Sequence, residues 1–302
     1  MTKRGLIRFF LAVAIAALLI TVPAGVGAQA PPAHKAKAPS SLRLYIFDCG
    51  VLHNADMGRF NLKNEDVTTS DMSMGCYLIA HPKGNLIWDT GAVPDDSWKP
   101  TGKSVTHHIA LPDGSTRDAE LGESLRGQLA KIGYAPSDIN YLALSHYHYD
   151  HTANANEFAA ATWLARPLDR EAMFGGKAAG TLQPSTFSAL EKSKTILLTT
   201  DEYDVFGDGS VILKSAPGHT QGHQVVYLKL PKTGGVVLSG DLYHYPAEMK
   251  LDRVPTFEFN QEQTRASRKT IDAFLKKMNA QLWIQHDITG FAKLKKSPQF
   301  YE

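Results

Sequence analysis

Three histidines and an aspartate fall within six residues, at His146-Tyr147-His148-Tyr149-Asp150-His151. They follow the short apolar run Tyr141–Leu144, which reads as a strand, so the cluster begins where a strand gives way to a loop. Side chains on an extended segment alternate with period two, so His146 and His148 point the same way. The turn beyond them can aim Asp150 and His151 at a second nearby point. Imidazole and carboxylate without thiolate suit Zn²⁺ or another divalent transition metal. A solvated surface does not account for this spacing.

Three further residues stand at the ends of strand-like runs. His219 lies in Ala216-Pro217-Gly218-His219-Thr220-Gln221-Gly222-His223, where glycines allow a tight turn. Asp241 follows Leu238-Ser239-Gly240, and its carboxylate can bridge two cations. His286 follows the run Leu282–Ile284 and is trailed by Asp287. Each alone is an ordinary turn residue. Together the seven candidate ligands, from four loops, describe a centre for two divalent ions. Water between two such ions is a nucleophile at neutral pH, because metal binding lowers its pKa from ~15.7 to about 7. Its targets are ester, lactone and lactam carbonyls. Asp150, if one oxygen stays free, is the candidate to pass the proton onward.

This set resembles that of the metallo-β-lactamase superfamily and, more narrowly, of the N-acyl-homoserine lactonase family. The resemblance rests on His146, His148, Asp150 and His151 as H-x-H-x-D-H, on G-H-T-x-G-H at 218–223, S-G-D at 239–241, H-D at 286–287 and W-D-T-G at 88–91. It runs from about Leu42 to about Ile288. It implies an αββα sandwich, an α/β fold of two mixed sheets with helices outside and metals at one edge. It also implies His146, His148 and His219 on one ion, Asp150, His151 and His286 on the other, and Asp241 between them. Asp89, by its place in W-D-T-G, is expected to orient a ligand. Such lactonases carry a tyrosine three residues after the bridging aspartate. Here that position is His244, flanked by Tyr243 and Tyr245. Neighbours in an extended segment point opposite ways, so either His244 or Tyr243 faces the carbonyl oxygen as donor, and His244 holds the matching position.

The implied function is a dinuclear zinc hydrolase opening lactone rings, N-acyl-homoserine lactones first among them. The alternative is a β-lactam or other ester or thioester hydrolase. β-Lactamases of the superfamily generally lack an aspartate equivalent to Asp241, and no cysteine lies near it. A catalytically silent metal scaffold would have no reason to keep all seven ligands.

The elements that must position these residues are short. The 302-residue chain is 43% hydrophobic and 21% charged, which excludes disordered, collagenous and coiled-coil classes. No repeat and no second linker appears after Ser41, so one mixed α/β domain over 41–302 is expected. Strands are expected at Leu42–Phe47, Cys76–Ala80, Asn85–Trp88, Thr195–Leu198, Val211–Lys214, Gln224–Leu228 and Val236–Leu238, and a hairpin turns at Pro112-Asp113-Gly114. Apolar spacing predicts helices over Leu121–Ile132, stopped by Gly133, and over Gln261–Met278. Phe60, Met72, Met74, Trp98 and Phe257 read as ordinary packing rather than an acyl pocket, His107 and His108 as surface, and His223 as a packed histidine.

The first residues are an address. Lys3, Arg4 and Arg8 precede the uncharged run Phe9–Val22, Pro23 breaks it, and small residues follow. This is the pattern of a signal peptide over 1–28, with Val26 and Ala28 placed for cleavage after Ala28. An uncleaved anchor is the alternative, since Phe9–Ala28 is about long enough to span a bilayer. Residues 29–40 read as a flexible leader. The whole chain carries 32 Lys plus Arg against 30 Asp plus Glu. Losing the three basic residues of the signal leaves 29 against 30, so no nucleic-acid partner is supported. The expected location is periplasmic or secreted, free of the membrane after cleavage, with a small-molecule substrate. Export permits a disulfide between Cys49 and Cys76; two buried free thiols are the equal alternative.

Overall fold

The computed structural model describes residues 1–2, 36–54, 56–111, 114–176 and 181–302. The expected signal peptide, from residue 3 through the cleavage point, lies outside the described residues. No helix among the described residues is long and apolar enough to cross a membrane.

Strands β1 (Arg43–His53), β2 (Met72–His81), β3 (Gly84–Trp88), β4 (Val105–Ala110), β5 (Thr116–Leu121), β6 (Tyr141–Ala143), β7 (Thr162–Ala165) and β8 (Thr195–Leu197) align as β4-β5-β1-β2-β3-β6-β7-β8. Strands β9 (Glu202–Asp204), β10 (Val211–Ser215), β11 (Gln224–Leu230), β12 (Gly234–Leu238) and β13 (Ala280–Trp283) make a second sheet in the order β13-β12-β11-β10-β9. The last strand, β14 (Phe300–Tyr301), pairs with the start of β1. Both sheets mix parallel and antiparallel neighbours. All ten residues of β2 are buried, because the strand is central and covered on both faces.

Leu44, Ile46, Tyr77, Ile79 and Trp88 of the first sheet meet Val211, Leu213, Val226, Leu228 and Val236 of the second. Helices α1 (Leu125–Lys131), α2 (Tyr149–Thr152), α3 (Pro167–Phe174), α4 (Pro184–Phe187), α5 (Pro246–Leu251), α6 (Gln261–Met278) and α7 (Ile288–Lys293) complete the chain. Leu125, Leu129, Met173 and Phe187 of the early helices pack on the outer face of the first sheet. Ile271 and Phe274 of α6 pack on Val225, Tyr227 and Val237 of the second. The layers are helix, sheet, sheet, helix.

Helix α6 spans the expected residues, started by Asn260, whose side chain accepts from the Gln263 N–H, and stopped by Asn279 in the left-handed conformation. The other expected helix begins late. Leu121 ends β5 opposite Val105, and Ser124 caps α1 by accepting from the Gly127 N–H. Leu121, Leu125 and Leu129 are spaced like one helical face, but the cap at Ser124 sets the start.

Cys49 and Cys76 are disulfide-bonded across β1 and β2, with Cα atoms 5.9 Å apart. Gly91, closing the Trp88–Gly91 turn, rests on this bridge; a Cβ there would come within 2.9 Å of the Cys49 Cβ. The bridge spans a sequence separation of 27. Replacing both cysteines by serine will lower stability by about 3 kcal/mol through the freer unfolded chain, readable as a lower urea midpoint.

Candidate metal centre

The site lies where strands running the same way come to an end. β3 and β6 are parallel, as are β12 and β13. β10 shares the direction of β12, since each is antiparallel to β11. His146 and His148 follow β6, His219 follows β10, Asp241 follows β12 and His286 follows β13. Gln224, opening β11, pins the two sheets together here. Its backbone N–H donates to Ser145 O and its side-chain amide to Leu144 O, both at 2.9 Å. Two glycines admit the loops. Gly218 has φ +137°, and a Cβ there would collide with Thr264; Gly240 has φ +48°, and a Cβ there would come within 2.6 Å of the Ser145 Cβ. His148 is the N-cap of α2, and this one-turn helix redirects Asp150 and His151.

The structure brings all seven candidate ligands together and divides them around Asp241. Its Oδ2 lies 3.6 Å from His146 Nε2 and 3.3 Å from His219 Nε2, and the latter is 2.9 Å from His148 Nδ1. Its Oδ1 lies 3.1 Å from His151 Nε2 and 3.0 Å from His286 Nε2. Asp150 Oδ2 stands 3.9 Å from His151 Nε2 and 3.8 Å from His286 Nε2. One ligand group is therefore His146, His148, His219 and Asp241, and a second is Asp150, His151 and His286. The Nε2 atoms of His146, His151 and His286 and the Oδ1 of Asp241 are buried without a hydrogen-bond partner among the described residues. Each such orphan costs about 1–3 kcal/mol, so their convergence makes physical sense with a shared ligand. The donor set fits two divalent transition ions.

Behind this ring the Nδ1 atoms of His151, His219 and His286 are engaged, which leaves their Nε2 atoms facing inward. His151 Nδ1 donates to Asp89 Oδ2 (2.9 Å), His219 Nδ1 to Glu258 Oε1 (2.8 Å), and His286 Nδ1 to Ser73 O (2.9 Å). Asp89 adopts φ +54°, rare for a residue with a side chain, and its Oδ1 accepts the Ser145 N–H at 2.7 Å. It orients His151. His223, expected as a packed histidine, is buried and also holds the centre: Nδ1 donates to Ala216 O and Nε2 accepts the Asp241 N–H at 3.0 Å. Burial pushes its pKa down to about 3, which keeps it neutral and able to accept.

Burial and neighbouring imidazoles hold His146 and His148 well below the ordinary histidine range. At His219 burial is outweighed by Glu258 and Asp241, which raise it to about 9. At His151 burial likewise yields to Asp241, Asp89 and Asp150, and the pKa rises well above the usual value. A divalent ion reaching His219 displaces that proton. Loading near neutral pH will therefore release protons, and affinity will fall as pH drops below about 9, where the proton competes. Calorimetry in buffers of different ionisation enthalpy reads this release. Glu258→Gln will reduce it and weaken metal retention roughly 10–100-fold against a chelator. Sequence reasoning missed Glu258, which stands alone in Phe257-Glu258-Phe259 with no local pattern to mark it.

Tyr243 and His244 point opposite ways. Tyr243 turns out of the site and packs beneath the Arg268 guanidinium, 4.0 Å from its ring centre. His244 faces in, with Nε2 3.2 Å from Asp241 Oδ2 but in no hydrogen bond among the described residues, and Nδ1 donating to Glu248 Oε1 (3.2 Å). A cavity opens beside His148, Asp150, His219, Asp241 and His244. Phe60, Met72 and Phe257, expected as ordinary packing, form its wall with Leu52 and Leu111; Met74 and Trp98 do not.

Comparisons with known proteins bear on the fold that carries this site. The family model described as the metallo-β-lactamase superfamily matches residues 76–281. The N-acyl homoserine lactonase AttM of Azorhizobium caulinodans is 27% identical over 271 residues, covering 87% of this chain and 100% of that protein. A solved N-acyl homoserine lactone hydrolase with N-hexanoyl-L-homoserine at its catalytic metal centre superposes with a TM-score of 0.69 at 22% identity, over 85% of this chain and 98% of the other. AidC, a dizinc quorum-quenching lactonase, does so at 0.61 and 19% identity, over 89% and 96%. The family match spans the loops that carry six of the seven clustered ligands, from His146 to Asp241, on two facing mixed sheets: the chain belongs to the metallo-β-lactamase superfamily.

Proposed function

We propose that this hydrolase opens N-acyl-homoserine lactones with two divalent ions, zinc first among them. The observation that carries the reading is Asp241, one oxygen turned to each half of a split cluster of buried imidazoles. When bound, the ions supply a nucleophilic water at neutral pH and polarise the carbonyl. The chain does the rest. Asp241 and the imidazoles fix the ions' spacing. His244 Nε2 offers the donor beside the developing oxyanion. Asp150, which lines the cavity, takes and passes the proton. Leu52, Phe60, Met72 and Phe257 receive an acyl chain and exclude water. The lactonase names among the matched relatives support the substrate class.

Product analysis on a homoserine lactone, an aromatic lactone, a β-lactam and a thioester tests the reading. The expected product is the ring-opened acyl homoserine, made by protein holding about two ions per chain. Selective β-lactam opening would move the substrate class, and active protein with one ion would overturn the dinuclear centre.

Export is part of the proposal. The Lys3, Arg4 and Arg8 pattern supports it, and so does the Cys49–Cys76 bridge, which suits an oxidising compartment. The mature chain is expected to begin at Gln29; N-terminal sequencing that finds Met1 would establish an anchor instead.

A further inference from the structure

The cavity beside His244 is apolar along its wall, yet two guanidinium groups, Arg59 and Arg117, also line it. Both recur in the open groove that adjoins it, with His53, Asp56 and Asp118, so they mark the boundary between the cavity and solvent. An aliphatic chain needs no cation there, and keeping guanidinium groups beside an apolar wall costs hydration.

Arg59 is held in place. Its short helical turn, Met57–Phe60, is capped by Asp56, whose side chain accepts the Gly58 N–H. Its carbonyl accepts from the Thr256 N–H (2.8 Å) and the Thr256 hydroxyl (3.1 Å). These bonds lay the guanidinium over Phe257, 4.9 Å from the ring centre. Phe257 in turn packs edge-on against His244, with ring centres 5.4 Å apart. One aromatic ring therefore separates the charge from the catalytic imidazole. Arg117 stands on β5 opposite Ile109, and its Nη1 donates to Thr116 O at 2.8 Å. Neither guanidinium has a carboxylate partner among the described residues. The carboxylates nearest in sequence are engaged elsewhere: Asp56 caps Gly58, and Asp118 accepts from His108 at 2.6 Å.

We infer that Arg59 and Arg117 receive an anionic group at the far end of the acyl chain, so that the preferred substrate carries a terminal carboxylate. Guanidinium groups bind carboxylates through paired, charge-assisted hydrogen bonds and stay charged at any working pH. The apolar wall spans the chain between this carboxylate and the scissile carbonyl. The inference rests on the acyl-lactone reading for the reacting end and on the guanidinium pair alone for the other.

Two measurements separate those ends. Calorimetric binding of hexanedioate against hexanoate to the metal-loaded protein needs no turnover, and each probe brings one carboxylate to the metals. Hexanedioate is expected to bind about tenfold tighter, less so at high salt. That preference is expected to vanish in the Arg59→Met, Arg117→Met double variant, whose methionines keep the apolar stems. Equal affinity, or a preference that survives the double variant, overturns the inference. The second measurement compares kcat/KM for two homoserine lactones of equal acyl length, one ending in methyl and one in carboxylate. A carboxylate preference carried in KM and lost in the double variant supports the inference, and a methyl preference overturns it. Retained hexanedioate binding with no lactone opened would support the subsite while overturning the lactonase reading.

Discussion

His244→Ala will lower turnover roughly 10²–10³-fold, the usual loss when one oxyanion donor is removed, while metal content stays unchanged. The expectation follows from three facts about this side chain. It is buried, its Nε2 has no hydrogen-bond partner among the described residues, and it lines the cavity beside Asp241. Burial lowers its pKa, but Glu248 and Asp241 more than offset this and raise it to about 10, so the ring keeps its donor proton. Tyr243→Phe should leave turnover nearly unchanged, since that ring faces α6 and Arg268. Steady-state kinetics beside elemental analysis checks both. Metal loss in His244→Ala would make His244 a ligand, and full activity would leave carbonyl polarisation to the metals alone.

Arg268→Met will destabilise the protein by about 3 kcal/mol, because it leaves the buried Oε2 of Glu248 without its cationic partner while His244 holds only Oε1. Glu248 is fully buried and Arg268 nearly so, with Nη2 2.6 Å from Glu248 Oε2. Arg268 also donates from Nε to Leu242 O (2.8 Å) and from Nη1 to Arg253 O. One guanidinium thus ties α6 to the loop that carries Asp241 and His244. Total stabilities run about 5–15 kcal/mol, so the loss is a large fraction. The Glu248→Met, Arg268→Met double variant should recover much of the stability, since two apolar side chains leave no unpaired charge. It should not recover turnover, because His244 Nδ1 has lost its acceptor. Urea midpoints read the first effect and kcat the second. If the double variant regained both, Glu248 would not be positioning His244.

Much of this site was legible because its ligands are local or follow local punctuation. His146, His148, Asp150 and His151 sit within six residues, and period-two alternation places the first pair without any tertiary information. Gly218 and Gly240 signal tight turns before His219 and Asp241, and both adopt positive φ. The α6 limits were legible because Asn260 and Asn279 cap it by local chemistry. β9 was not, since two of the three residues in Glu202-Tyr203-Asp204 are charged and no apolar run marks it.

By itself, then, the sequence determined which chemistry is available: imidazole and carboxylate at strand exits, and a cap or glycine where each loop must turn. Tertiary structure decided how those groups are shared and oriented. Only the packing of two sheets could put one Asp241 oxygen toward His219 and the other toward His286, residues 67 positions apart in the numbering. Only the docking of α6 could turn Tyr243 outward and bring Arg268 and Glu248 behind His244. Glu258, Arg59 and Arg117 were invisible for the same reason. A lone charged residue in a loop has no period and no spacing, and its role comes from long-range contacts that local rules do not encode.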